Sequence, residues 1–182
     1  MRGDVVVSPS GEEIVLVDVG QRVLYDDPVV RVWEVQLEPG ETHPWHLHHN
    51  PYVVLSIGGS EGRMDWLDGS EPRFISEHRG GSVYRPVSPV HRLTNIGTSF
   101  YRNRLVELKD LGENLPEPLD VSAPLDILAD DVTVWTVADS SLDLEGPHVL
   151  AALDTEDVRL HPGGPCSLDG EWFVVELRYL FR

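Results

Sequence analysis

The fold of this chain is decided by two stretches, residues 40–59, GETHPWHLHHNPYVVLSIGG, and residues 80–95, GGSVYRPVSPVHRLTN. In the first, His46 and His48 stand two residues apart. Side chains at positions i and i+2 point to the same face of a β-strand, so both imidazoles can reach one point. In the second, His91 follows a proline-containing turn that can bring a third imidazole there. Three neutral imidazoles leave positions open on Zn or Fe(II), which is the layout of a reactive metal site.

The spacing of these residues resembles the two motifs of the cupin superfamily. The first motif reads G-x5-H-x-H-x3,4-E-x6-G, and the second reads G-x5-P-x-G-x2-H-x3-N. The positions that follow this spacing are Gly40, His46, His48, Tyr52 and Gly59 in the first motif, and Gly80, Pro86, Ser88, His91 and Asn95 in the second. The resemblance covers residues 30–108. It implies an all-β fold, a cupin-type double-stranded β-helix (jelly-roll) barrel, with one divalent metal ion bound by His46, His48 and His91.

One position departs from the motif, because Tyr52 stands where the family has a glutamate ligand. A neutral phenol is a poorer ligand than a carboxylate, so the resemblance is to three-histidine cupins. These include dioxygenases that act on thiols or diketones; the chain is also similar to small cupins associated with β-alanine degradation. Fe(II) is the favoured ion, and Zn, Mn and Ni are alternatives, since imidazole accepts all of them. Tyr52 is the candidate catalytic residue, as a proton donor or an orienting group; the alternative is an aromatic side chain packed in its strand.

The charge of such a site favours anionic small-molecule substrates, because no glutamate ligand offsets the positive ion. Arg102 and Arg104 share one face of a predicted strand. If that face points inward, the pair can clamp a substrate carboxylate; the alternative is a solvated strand face. His43 and His49 flank the histidine pair and are expected at the surface.

The rest of the sequence predicts β-structure nearly throughout. Trp33, Val35 and Leu37 alternate with polar residues, as in a strand with one face in a core. Turn signals recur at roughly ten-residue spacing, which is typical of a sandwich or barrel. Three segments are predicted: a cupin barrel with N-terminal strands over residues 1–109, a connecting arm over 110–131 with a short helix near 125–129, and a C-terminal β segment over 132–182.

The C-terminal segment echoes the first half of the chain. The matches align residues 30–35 with 132–137, 51–55 with 147–151, and 106–108 with 175–177. They suggest a shortened, degenerate second half without the histidines, whose strands could cover an edge or open face of the first sheet. The alternative is that β-rich segments look alike by chance.

Composition excludes several classes of partner. The chain has 182 residues, enough for one domain with an appendage, and no run near the roughly 20 apolar residues of a membrane helix. Its 14 Lys and Arg residues stand against 31 Asp and Glu residues, a formal net charge of −17. Neither nucleic acid nor an anionic membrane is therefore expected as a partner. The single cysteine, Cys166, and an N-terminus unlike a signal peptide favour a cytoplasmic location. A homodimer is expected by resemblance, because cupins commonly pair through sheet edges.

Three functions stay open at the level of the sequence. The favoured one is an Fe(II) dioxygenase-type enzyme that acts on a small organic acid, thiol or dicarbonyl. The second is a non-redox isomerase, lyase or hydrolase whose metal ion acts as a Lewis acid. The third is a ligand-binding cupin without catalysis, which the missing glutamate and the replacement of a motif glycine by Ser88 favour.

Overall fold

The computed structural model of the chain describes residues 2–117 and 132–181, which form two compact units. The strands of the first unit are β1 (Val5–Val7), β2 (Glu13–Val15), β3 (Arg22–Asp26), β4 (Val30–Leu37), β5 (Thr42–His48), β6 (Tyr52–Gly58), β7 (Glu61–Trp66), β8 (Arg73–Ser76), β9 (Ser82–Arg85), β10 (Ser88–Asn95) and β11 (Tyr101–Leu108). Those of the second unit are β12 (Val132–Leu144), β13 (His148–Ala152), β14 (Val158–His161) and β15 (Gly164–Leu177).

Two antiparallel sheets enclose the interior of the first unit. One has five strands in the order β3-β4-β11-β6-β9, and the other has four in the order β5-β10-β7-β8. Val35, Leu37 and Tyr101 from the five-stranded sheet pack with Ile75 and Leu93 from the four-stranded sheet. These two facing sheets have the strand order of a jelly-roll barrel, so the predicted all-β, jelly-roll fold is confirmed.

The register of β4 and β11 shows which residues face this interior. Val35 pairs with Asn103, and Trp33 pairs with Leu105, so Asn103 and Leu105 share the inward face of β11. The predicted alternation in β4 is present, but its second face is buried as well, since Glu34 is only 2% exposed. Alternation identified the two faces of the strand but did not reveal that both are covered.

Two motif glycines stand at turns that only glycine forms easily. Gly40 lies between β4 and β5 with φ 83°, and Gly80 lies just before β9 with φ 81°. In this left-handed region a Cβ atom would clash with the backbone. Each motif therefore begins with the turn that leads the chain into a wall of the barrel.

The second unit is one antiparallel sheet in the order β12-β15-β13-β14. Val106 pairs with Val32 and Val53 in the first unit, and Val175 pairs with Val134 and Val149 in the second. These are the residues that the sequence matches align, so β12, β15 and β13 repeat β4, β11 and β6 in both order and register. Within residues 132–181, nothing corresponds to the four-stranded sheet, which agrees with a shortened second half.

The predicted arm begins in the first unit with a short 3₁₀ helix over Lys109–Leu111. The rest of it from residue 118 to 131, including the helix expected near 125–129, lies outside the described residues. The predicted segment boundaries stay predictions. In the part of the chain that the structure describes, no helix combines the length and the apolar character needed to cross a membrane.

Candidate metal centre

Two neighbouring strands of the four-stranded sheet carry the three motif histidines. His46 and His48 lie on β5, and His91 lies on β10 directly opposite His46. The pairing register shifts on both sides of His91, and such bulges re-aim side chains. All three imidazoles line one cavity inside the barrel.

The predicted ligand set is brought together. One ring nitrogen from each of the three histidines lies within 4.8 Å of the others. The ring centroids of His46 and His91 are 4.3 Å apart, and that of His48 is 5.2 Å from each of the other two. The three side chains are buried, and together they can bind one divalent ion.

Backbone carbonyl groups orient two of the three rings. Nδ1 of His46 donates to the carbonyl oxygen of Pro44, and Nδ1 of His91 donates to that of Pro89, each at 2.7 Å. Because each Nδ1 carries the hydrogen, each Nε2 keeps its lone pair for a metal ion. The same Pro-x-His unit thus occurs twice and fixes the tautomer that a ligand needs.

Burial keeps the three imidazoles neutral. It lowers the pKa of His46 and of His48 well below the usual value for histidine, and the neighbouring imidazoles lower both further. Burial also lowers the pKa of His91 to about 4, although the hydrogen bond to Pro89 opposes this. The neutral imidazole is the form that binds metal ions, so the site is ready for one without losing a proton first.

The ring of His48 provides a test of whether a metal ion fits. Its Nδ1 is buried and has no hydrogen-bond partner among the described residues. An unsatisfied buried polar atom costs about 1–3 kcal/mol. Coordination of a metal ion by Nδ1 itself would satisfy this atom, and three neutral imidazoles suit Fe(II), Zn, Mn or Ni. The donor set therefore fits a divalent transition-metal ion.

Tyr52 lies against the histidines. Its ring stacks on that of His48 with a centroid distance of 4.0 Å and an interplanar angle of 17°. Its hydroxyl group lies 3.2 Å from Oγ of Ser88, the residue that replaces the second glycine of the motif. Burial raises the pKa of Tyr52, so the phenol keeps its proton. The residue is both packed against His48 and hydrogen-bonded to Ser88.

His43 differs from its expected surface position. The side chain is 5% exposed, lines the cavity, and lies with its ring centroid 4.7 Å from that of His46. Strict alternation would turn His43 away from His46, but a register shift between these positions adds a residue to β5 and turns both inward. Nε2 of His43 donates to the carbonyl oxygen of Asp18. His49 is exposed, as predicted.

A carboxyl group that the sequence analysis missed also lines the cavity. Glu77 follows β8 and accepts hydrogen bonds from Ser56 Oγ and Tyr101 Oη, both at 2.9 Å. Burial raises the pKa of Glu77, against these bonds and the nearby charge of Arg85. No motif contains this glutamate, and the only sequence signal is that Tyr101 and Ser56 fall on inward positions of their strands.

The histidine cavity is small, about 50 Å³, whereas a larger one of about 630 Å³ lies elsewhere in the first unit. Polar groups of the larger cavity bond to each other. Trp33 Nε1 donates to Glu107 at 2.7 Å, and Arg31 and Asn50 donate to Glu113 at 3.1 and 3.0 Å. The imidazole nitrogens that could bind a metal ion therefore lie in the smaller cavity.

The structure does not bring Arg102 and Arg104 to the histidines. Asn103 and Leu105, which alternate with them on β11, line the cavity instead. Both arginines bind Glu34, Arg102 at 2.7 Å and Arg104 at 2.5 Å. The geometry gives no support to the predicted substrate clamp, because this arginine face of β11 points away from the interior.

Comparison with known proteins gives structural likenesses alone. No family model and no curated protein matches the sequence. A cupin domain from Bordetella pertussis is 26% identical, with 48% of this chain and 90% of that chain covered and a TM-score of 0.44. A protein with a double-stranded β-helix domain from Klebsiella pneumoniae is 18% identical over 50% of this chain and 76% of that chain, with a TM-score of 0.39. Vicilin from Solanum melongena is 8% identical over 80% of this chain and 72% of that one, with a TM-score of 0.49.

Proposed function

We propose that the protein is a metal-dependent enzyme, on the premise that its first unit is a cupin-type barrel with three clustered histidines. Its reaction is proposed to be the oxidation of a small organic molecule by dioxygen, with Fe(II) as the ion. The observation that carries the proposal is the cluster itself: His46, His48 and His91 are neutral, buried and directed at one point. The ion, when bound, supplies Lewis acidity and, as Fe(II), the one-electron chemistry that a reaction with dioxygen requires.

The walls of the cavity give the reacting groups largely apolar surroundings. Apolar side chains from both sheets line it, among them Val35, Val54, Met64, Ile75, Val83 and Leu105. In such a medium each hydrogen bond and each charge acts more strongly than in water. The small volume of the cavity limits the reacting end of the substrate to a few atoms.

Tyr52 is proposed to supply a proton to the substrate. Its hydroxyl group keeps its proton because burial raises the pKa, and stacking on His48 places the phenol beside a ligand ring. Ser88 Oγ holds the hydroxyl group in one orientation at 3.2 Å. A positioned proton donor of this kind contributes roughly 10²–10⁴-fold to a rate.

Glu77 is proposed to hold a second exchangeable proton at the cavity wall. Its raised pKa makes the protonated form accessible nearer neutral pH, since burial disfavours the carboxylate. The hydrogen bonds from Ser56 and Tyr101 fix the carboxyl group against one side of the cavity. It can therefore exchange a proton with a substrate bound in the cavity.

The proposal is tested by the metal content of protein purified with and without oxygen, by elemental analysis. Wild-type protein is expected to contain near-stoichiometric iron when prepared without oxygen, and His46→Ala is expected to lose it. His49→Ala is the matched control, because His49 is an exposed neighbour outside the cluster, and it should keep the metal. Oxygen uptake is then measured with small acids, thiols and dicarbonyls.

Three results would contradict the proposal. Equal metal content in wild-type and His46→Ala protein would mean that the cluster is not the metal site. The protein could instead contain stoichiometric zinc, nickel or manganese, and exchange of that ion for iron could fail to produce oxygen uptake. That result would favour the non-redox reaction class over oxidation. Absence of metal from every preparation, even after reconstitution, would favour a binding protein without catalysis.

A further inference from the structure

The barrel has an unpaired seam between its two sheets. β8 is the edge strand of the four-stranded sheet and pairs with β7, and β9 is the edge strand of the five-stranded sheet and pairs with β6. Among the described residues, no backbone pairing joins β8 to β9. Because no backbone hydrogen bonds join the two sheets between these edges, a ligand can pass between the sheets there.

Side chains from both edges of this seam point inward. The register puts Arg73 opposite Met64 and Arg85 opposite Tyr52. Met64 and Tyr52 line the histidine cavity, and paired residues lie on the same face of a sheet. Arg73 is exposed and Arg85 is half-buried, so the two arginines follow each other from the surface towards the interior.

A cavity at the seam connects with the histidine cavity. It has a volume of about 320 Å³, and both arginines line it. Four residues line both cavities: Ile75, Glu77, Val83 and Arg85. The larger outer space thus leads past Arg85 into the small inner one, where His46, His48 and His91 lie.

The two arginines are available to a ligand. Most arginines of this acidic chain pair with carboxylates, for example Arg63 with Asp65 and Arg102 with Glu34. Neither Arg73 nor Arg85 forms a salt bridge with any described residue; Arg73 lies over the ring of Trp66 at 5.3 Å. Two arginines and one carboxyl group, that of Glu77, line this cavity, so the seam carries an excess of positive charge in a chain with a formal net charge of −17.

We propose that the substrate enters between β8 and β9 and that Arg85, assisted by Arg73, binds its carboxylate. This inference rests on the proposed function, because it names the substrate class of the same site: small carboxylic acids. A guanidinium group binds a carboxylate with two parallel hydrogen bonds, so the anion is fixed in orientation as well as in position. With its carboxylate on Arg85, the other end of a short acid points into the histidine cavity.

The test measures the binding of malonate by titration calorimetry to metal-loaded and to metal-free protein. Dimethyl malonate serves as the uncharged probe. Wild-type protein is expected to bind malonate and not the diester. Arg85→Gln should weaken malonate binding about tenfold or more, since a hydrogen-bonded charge is lost. Arg63→Gln, which removes a charge from the outer face of β7, is the matched control and should bind within about twofold of wild type.

Two further variants keep the test decisive if Arg85→Gln folds poorly. Arg85→Lys keeps the charge but loses the planar fork, and Arg73→Gln removes the exposed partner; each should weaken malonate binding by about threefold or more. Wild-type affinity in all three variants, equal binding of the diester, or no binding of malonate to wild-type protein would overturn the inference.

Failure of this inference and failure of the proposed function give different results. If the metal content is normal but malonate binding does not depend on Arg85, the carboxylate site is refuted and the metal site is not. If no preparation contains metal but the metal-free protein binds malonate through Arg85, the proposed reaction is refuted and the carboxylate site is not.

Discussion

At the scale of single residues, the histidines are oriented by the backbone just before them. Each Pro-x-His unit offers a carbonyl oxygen two residues ahead of the ring, and proline has no N–H group that would need a partner at that point. His148 in the second unit makes the same contact, from Nδ1 to the carbonyl oxygen of Gly146 at 2.9 Å. The contact is thus a property of the local strand backbone, and only in the first unit are several such rings brought to one point.

Tyr52→Phe separates a catalytic role from a structural one. The variant keeps the ring that stacks on His48 but loses the hydroxyl group, so metal content should stay at the wild-type level. Turnover per bound metal should fall by roughly 10²-fold, which is the lower end for a lost proton donor. The measurement is oxygen uptake with a substrate found in the screen, normalised to metal content.

Tyr25→Phe is the control for this variant, because the hydroxyl group of Tyr25 bonds to Asp27 rather than to the histidine region. Unchanged turnover in Tyr52→Phe would mean that the ring serves packing alone. Loss of the metal would mean that the phenol oxygen is a ligand.

At the scale of elements, one carboxylate joins three strands of the five-stranded sheet. Glu34 on β4 binds Arg22 on β3 and both Arg102 and Arg104 on β11. Burial alone would raise the pKa of Glu34, but the hydrogen bonds from Arg22 and Arg102, with the charge of Arg104, lower it to about 2. Glu34 therefore stays ionised and holds the register of β3, β4 and β11.

Glu34→Gln should destabilise the protein by about 3–5 kcal/mol, because it leaves the buried guanidinium group of Arg104 without its counter-charge. Asp65→Asn is the control: Asp65 pairs with two partly exposed arginines, and its loss should cost about 1 kcal/mol or less. Urea denaturation at pH 7 measures both. Equal effects in the two variants would show that the Glu34 cluster is no stronger than a surface pair.

The contribution of Glu34 should also depend on pH. A carboxyl group whose pKa is lower in the folded than in the unfolded state stabilises the fold above its unfolded value near 4.5. That stability is lost as the pH falls from about 4.5 to about 2. The difference in unfolding free energy between wild type and Glu34→Gln should therefore be constant above pH 6 and shrink below pH 4.5, as urea titrations at several pH values would measure.

At the scale of the whole molecule, metal binding and stability are linked. An ion that binds the folded cluster and not the unfolded chain stabilises the fold by mass action. Removal of the metal with a chelator should lower the melting temperature by roughly 5–10 °C for a chain of this size. Differential scanning calorimetry with and without chelator measures the shift.

His46→Ala is the matched variant for this measurement. It should melt at the same temperature with and without chelator, while His49→Ala should show the wild-type shift. A chelator effect that persists in His46→Ala would mean that another metal site stabilises the chain.

The sequence determined the elements of this protein and the core of its site. Alternation in β4 marked an inward row of Trp33, Val35 and Leu37, and motif spacing selected His46, His48 and His91. The match between residues 30–35 and 132–137 suggested a shortened second half that repeats the first, with chance likeness as the alternative. These signals are local, because residue spacing along a strand fixes which side chains share a face.

Only the tertiary structure decided which face of β11 points inward and where strand edges meet. Arg102 and Arg104 share a face that turned out to lie away from the cavity, since alternation is symmetric between the two faces. His43 turns inward through a bulge, which changes the alternation by one residue. The two sheets leave β8 and β9 unpaired at the same side of the barrel. Only for this reason do Arg73, Arg85 and Glu77 line one cavity.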